Sequence, residues 1–158
     1  MRTIRSGQQG VMLLEALIGI LIFSLGILAL VAMQSVSVSN VSNAKYRVEA
    51  AFAAEEIMNR MWVDSGVQLA NVDTYRYPGG NSPYLMAWLG RLQSTGNTGL
   101  PGAMSFPPTI EIFPTVVTVQ AAPLVQQQVR QVKVTIRWKA PEALAPSKHE
   151  AITWITEP

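Results

Sequence analysis

Twenty-three consecutive residues, Val11–Met33, carry a single charge, Glu15, and a single hydroxyl, Ser24. No other feature limits the fold of this chain so strongly. As a helix the run is about 35 Å long, enough to cross a hydrocarbon core of about 30 Å. The apolar region of a cleavable secretory signal is shorter, about 7–15 residues. The run therefore predicts a membrane-spanning helix. It also accounts for a composition that is 49% hydrophobic and only 14% charged, an excess concentrated in one segment.

Before it lies Met1–Gly10, a polar leader with Arg2 and Arg5 and no acid. Basic residues stay on the cytoplasmic side, so the expected topology is N-terminus inside and the rest exported. The chain holds 12 basic and 10 acidic residues, and every acid follows Gly10. Residues 11–158 are thus formally neutral, and nucleic acid is not an expected partner. There is no cysteine and one histidine, His149. Disulfides, thiolate metal sites and cysteine nucleophiles are excluded, and neither metal nor cofactor is expected.

Neither proline nor glycine occurs in residues 27–65. The helix is expected to continue as one rod from Val11 to Asp64, about 80 Å long. Residues 11–34 form its membrane half and 35–64 its exported half. Beyond the membrane, Ala44, Val48, Ala51, Met58 and Met61 recur at helical spacing. Phe52, Met58, Met61 and Trp62 are expected in the core of the domain that follows. Ser65-Gly66 supplies the stop. Gly19 and Gly26 lie seven apart, on nearly the same side, and are read either as tolerated glycines or as a point of close helix approach.

All ten prolines fall from Pro78 onward. Residues 65–158 are read as a loop region followed by an antiparallel sheet. Tyr84–Leu92 predicts a short helix with Leu85, Trp88, Leu89 and Leu92 on one side. Thr109–Phe113 and Val116–Gln120 predict strands separated by Pro114, which signals a bend or a sheet edge. Val129–Lys139 alternates strictly: Val132, Val134, Ile136 and Trp138 on one face; Lys133, Thr135, Arg137 and Lys139 on the other. The basic face is read as solvated, its lysines guarding against edge pairing. Ala151–Thr156, with Ile152 and Trp154 on one face, completes the sheet. The fold class expected is α+β, the long helix packed on the sheet.

Gly10 followed by Val11-Met12-Leu13-Leu14-Glu15, after a short basic leader and before a long apolar helix, resembles the class III signal of type IV pilins. The family usually begins its mature chain with Phe, where this sequence has Val11. The resemblance implies cleavage by prepilin peptidase between Gly10 and Val11 and N-methylation of Val11. It also implies a role for Glu15, the fifth mature residue, in assembly between subunits. Residues 25–34, 50–61 and the strand Val134–Trp138 are similar to the minor pilins of the PilV, or type IV pilus modification, kind. That similarity implies a non-enzymatic subunit that co-assembles with other minor pilins and the major pilin. It would prime fibre assembly on the inner-membrane platform, sit at the pilus tip and support twitching motility and adhesion. Lipid surrounds the helix before assembly, and no small-molecule substrate is implied. Many pilins close a C-terminal loop with a disulfide, which this chain cannot form.

Two other readings share some of these signals. A minor pseudopilin of a type II secretion system, of the I type, carries nearly the same N-terminus. A membrane-anchored enzyme or sensor needs a catalytic constellation. The sequence has no Walker loop, G-x-S-x-G or H-E-x-x-H motif. Asp64 with Asp73, or Glu142 with Glu150, offer only scattered acids, and His149 reads as an exposed loop residue.

Overall fold

The computed structural model describes residues 9–94, 99–119, 125–141 and 143–156. Its elements are α1 (Gln9–Ser65), α2 (Ala70–Asp73), α3 (Pro83–Leu92), β1 (Thr109–Val119), β2 (Val125–Trp138) and β3 (Ser147–Thr156). The three strands form one antiparallel sheet in the order β1-β2-β3. The chain divides into two compact units, Met1–Val41 and Ser42–Pro158.

The first unit is the N-terminal part of α1. Every side chain described from Val11 to Val38 is exposed. Among the described residues this is the one helix long and apolar enough to cross a membrane.

The second unit is α+β. Its core gathers Ala50, Ala54, Ile57 and Met61 of α1, Leu85, Trp88, Leu89 and Leu92 of α3, and Ile110, Ile112, Val132, Val134, Ile136, Trp138 and Ile155 of the sheet. The α1 residues are spaced four, three and four apart, so they form one stripe. Phe52 stands about 200° around the helix from Ala50. It is consequently 66% exposed, and Trp62 is 43% exposed. The expectation that both join the core is corrected, while Met61 is buried and Met58 packs partly against the core. Ala50 and Ala54 are both fully buried, so small side chains fill the upper part of this stripe.

Helix α3 begins one residue earlier than expected. Ser82 is its N-cap, accepting from the Leu85 N–H at 3.5 Å, and Pro83 takes the first turn, where no N–H partner is lost. The four residues expected on its inner side are the four that are buried. The short helix α2 was not foreseen. Its Asp73 forms a fork with Arg130 of β2, Nε to Oδ1 at 3.2 Å and Nη2 to Oδ2 at 3.2 Å.

Strand β1 runs unbroken through Pro114, which pairs with Arg130. The separation expected there is corrected; the edge position is observed. The reason lies in the direction of the backbone groups. Ile110 exchanges both its N–H and its C=O with Tyr77, on the side away from β2. Direction alternates along a strand, so residues 112, 114, 116 and 118 also turn outward. Pro114 therefore lacks an N–H only where β2 does not need one. The cover at Ile110 is held by a tight loop. A Cβ on Gly80 would stand 2.3 Å from the Thr74 carbonyl oxygen and 2.4 Å from that of Arg76, so only glycine fits there.

Strand β2 starts at Val125 and is the central strand. Its lysines thus guard no edge, and that reading is corrected. Lys133 lies opposite Glu111 and reaches Glu150 at 3.5 Å. Strand β3 starts at Ser147, four residues earlier than expected. It includes His149, opposite Ile136 and half-buried rather than in an exposed loop. Glu142 lies outside the described residues.

Candidate functional site

The residues singled out by sequence lie in the first two turns of α1, which begins at Gln9. The Gly10–Val11 peptide is therefore inside the first helical turn. A protease would need that bond extended, so cleavage there would require the turn to open. The first N–H groups of a helix have no intrahelical partner, and glycine is about 1 kcal/mol less favourable than alanine in a helix. Both facts make this the cheapest part of α1 to unwind.

Val11 is 64% exposed, and Glu15 is also exposed. Among the described residues Glu15 meets no hydrogen-bond or ion-pair partner. It lies one turn, about 6 Å, beyond Val11. At about 100° per residue, Gly19 and Gly26 fall within about 40° of Glu15 around the helix. A Cβ at either glycine would meet nothing within 4 Å. The carboxylate thus heads a stripe that is narrow at two points. This alignment of Glu15 with both glycines follows from the sequence spacing alone.

In the second unit the polar clusters are structural. Glu56 of α1 accepts from the Tyr84 hydroxyl at 2.7 Å and pairs with Arg91 of α3. The Glu56 carboxylate holds the Tyr84 phenol above its ordinary pKa. Trp88 donates its indole N–H to the Ala53 carbonyl at 3.1 Å, a second tie between α3 and α1. Between these two helices lies an open groove of ≈ 300 Å³, with Phe52, Trp88 and Leu100 in its walls.

At the end of α1, Asp64 pairs with Arg60 at 2.9 Å and accepts from the buried Tyr75 hydroxyl. Asp64, Asp73 and Glu150, offered by the sequence as carboxylate pairs, each have their own cationic partner. Among the described residues no group of three or more His, Asp or Glu could hold a metal ion.

Tyr75 gives a pH prediction. Burial, and then donation to Asp64, hold its phenol above the ordinary value near 10. In the unfolded chain it returns to that value, so above about pH 10 the folded state binds more protons. Its contribution is complete below that pH and is lost as pH rises toward the folded-state value. Tyr75→Phe is expected to cost about 1.5–3 kcal/mol at neutral pH, the worth of a hydrogen bond to a charged group. It is also expected to flatten the alkaline loss. Urea unfolding of both chains at pH 8 and pH 11 measures both effects; equal alkaline slopes would remove Tyr75 as their source.

The outer face of the sheet was also missed. Phe113, Gln131 and Trp154 are aligned across three strands, and Ile152 follows Trp154 on the same face. Phe113 is 47%, Ile152 52% and Trp154 54% exposed. The sequence paired Ile152 with Trp154 correctly, but their face is the one away from the core. Compared with protein-family models, with curated proteins and with solved structures, the chain has no match.

Proposed function

We propose that the chain is a minor type IV pilin of the PilV kind. It would be cut between Gly10 and Val11, N-methylated at Val11, and assembled with other minor pilins to prime fibre growth. One observation carries this reading: the Gly10-Val11…Glu15 signal stands at the start of a helix whose apolar half, among the described residues, is exposed throughout. A helix exposed along its whole apolar length must find either lipid or other helices. A pilin uses both, first as anchor and then as fibre core.

The Val11–Glu15 spacing supports the same reading. Cleavage would leave a cationic amine at Val11, and a carboxylate unpartnered among the described residues stands one turn away. In an apolar surrounding each alone is costly, and opposite charges on adjacent subunits satisfy one another. The α+β unit fits an exported domain whose loops and outer sheet face set partner choice.

The test is the intact mass and N-terminal residue of the native protein, with and without prepilin peptidase. A chain beginning at N-methyl-Val11 only when the peptidase is present is the expected result. A chain still carrying Met1–Gly10, or one beginning beyond Met33, would overturn the reading and favour an anchored or secreted domain. The I-type pseudopilin of a type II secretion system has the same processing and is separated by which subunits are recovered with the mature chain.

A further inference from the structure

Edge β1 is treated differently along its two halves. At Ile110 it is paired with Tyr77, and at Ile112 the carbonyl accepts from Arg76 Nη2 at 2.8 Å. At Pro114 there is no N–H to offer. Beyond it, Val116 and Thr118 direct N–H and C=O outward, and among the described residues nothing meets them there. This stretch belongs to an arm formed with Val125–Gln128 of β2, beyond the last pairing of β3 at Val129↔Thr156. Val116 is 59% and Val117 42% exposed. No charged residue occurs from Thr115 to Gln128. Exposed edges are ordinarily blunted by charge, proline or cover. Here cover and proline protect residues 110–114, and among the described residues nothing continues that protection along the arm.

We infer that this open edge, Thr115–Val119, pairs with the same edge of a second copy of the chain. The register follows from the backbone. Antiparallel strands exchange two hydrogen bonds between residues that both point at the partner strand. With a two-fold axis at Val117, Val116 meets Thr118 of the second copy, and Thr118 meets its Val116. Four backbone hydrogen bonds form. An axis at Val116 also gives four, but it sets each Thr118 carbonyl against Pro114, which has no N–H to offer it; only the axis at Val117 pairs every outward N–H and C=O of residues 116 and 118. The uncharged arm brings no like charges together, and Thr and Val suit paired strands. The inference concerns the second unit alone and does not rest on the proposed function.

The chain has no cysteine, so an introduced one is its only thiol. At the axis, the two residues 117 form a non-hydrogen-bonded pair with Cα atoms about 4.5 Å apart, inside the range a disulfide spans. Two residues 115 would be about 13 Å apart and cannot be bridged. The full-length variants Val117→Cys, Thr115→Cys and Ile152→Cys are oxidised in membranes and run on non-reducing gels. Ile152, exposed on the opposite edge strand β3, reports random collision. The expected result is a species of twice the chain mass at 117 and none above background at 115 or 152. Adding Thr118→Pro to Val117→Cys is expected to abolish it. That proline removes an outward N–H only, as Pro114 already does, so the β1–β2 ladder survives. Cross-linking at 117 no greater than at 115 and 152 overturns the inference. So does cross-linking undiminished by Thr118→Pro. A foreign strand seated on the edge gives the first of these negative results.

Discussion

Glu15→Ala is expected to leave the cut between Gly10 and Val11 intact and to abolish recovery of partner pilins with the mature chain. In the proposed processing the peptidase would act at the first turn of α1, one turn before the carboxylate, and would need that turn to open. Removing a side chain at position 15 does not hinder opening. Assembly is different. In the proposed fibre the amine of one subunit and Glu15 of its neighbour lie among apolar helices. Removing one member of a buried ion pair leaves the other charge unpaired, at a cost of about 3–5 kcal/mol. At about 1.4 kcal/mol per factor of ten, co-assembly falls by roughly two to four orders of magnitude. Pull-down of minor pilins from solubilised membranes, beside the mass of the variant chain, reads both effects. Undiminished recovery of partners would remove Glu15 from assembly; loss of cleavage would move its role to processing.

The second large effect belongs to the α+β unit. Trp88 is 1% exposed, sits in the core cluster and donates its indole N–H to the Ala53 carbonyl. Trp88→Ala is expected to cost about 3–5 kcal/mol, the loss of a large buried aromatic plus the cavity it leaves. Against a total of about 5–15 kcal/mol for an ordinary domain, that is about a fifth at the least. Trp88→Phe keeps most of the apolar contact and is expected to cost less. Urea titration of the full chain in detergent, followed by near-ultraviolet circular dichroism, gives both values. Equal midpoints for Trp88→Ala and the unchanged chain would mean that α3 is not part of the cooperative core. Because Trp88 is far in sequence from Gly10, the proposed leader removal is expected to be the same in both variants.

Within the second unit, the polar ties act where burial alone is thin. Asp73–Arg130 fastens α2 to the sheet through two parallel contacts, a geometry that specifies orientation as well as energy. Lys148 and Lys133 hold the Glu150 carboxyl below its usual range. This pair is exposed, so its value is small and falls with salt.

The sequence determined by itself what depends on neighbours along the chain. The apolar length of Val11–Met33 sets a helix that can span a membrane, because that requirement is one of residue count and hydropathy alone. The absence of breakers from 27 to 65 sets its continuation, and Ser65 ends it. The amphipathic spacing of Leu85, Trp88, Leu89 and Leu92, and the alternation of Val132 to Trp138, named the buried faces of α3 and β2. The candidate site was equally legible, since Gly10, Val11 and Glu15 form a local pattern.

The remaining features depend on which element meets which. Of the apolar residues in 44–62, the sheet selected the stripe through Ala50, Ala54, Ile57 and Met61. Ala50 and Ala54 lie buried on that stripe, and Phe52 and Trp62 were left outside. Periodicity at Pro114 suggested an interruption. Strand order made it an edge, where a missing N–H costs the ladder nothing. Alternation put Ile152 and Trp154 on one face, and packing placed that face outward. The open half of β1 has no sequence signature, because an edge exists only once the sheet has chosen its neighbours.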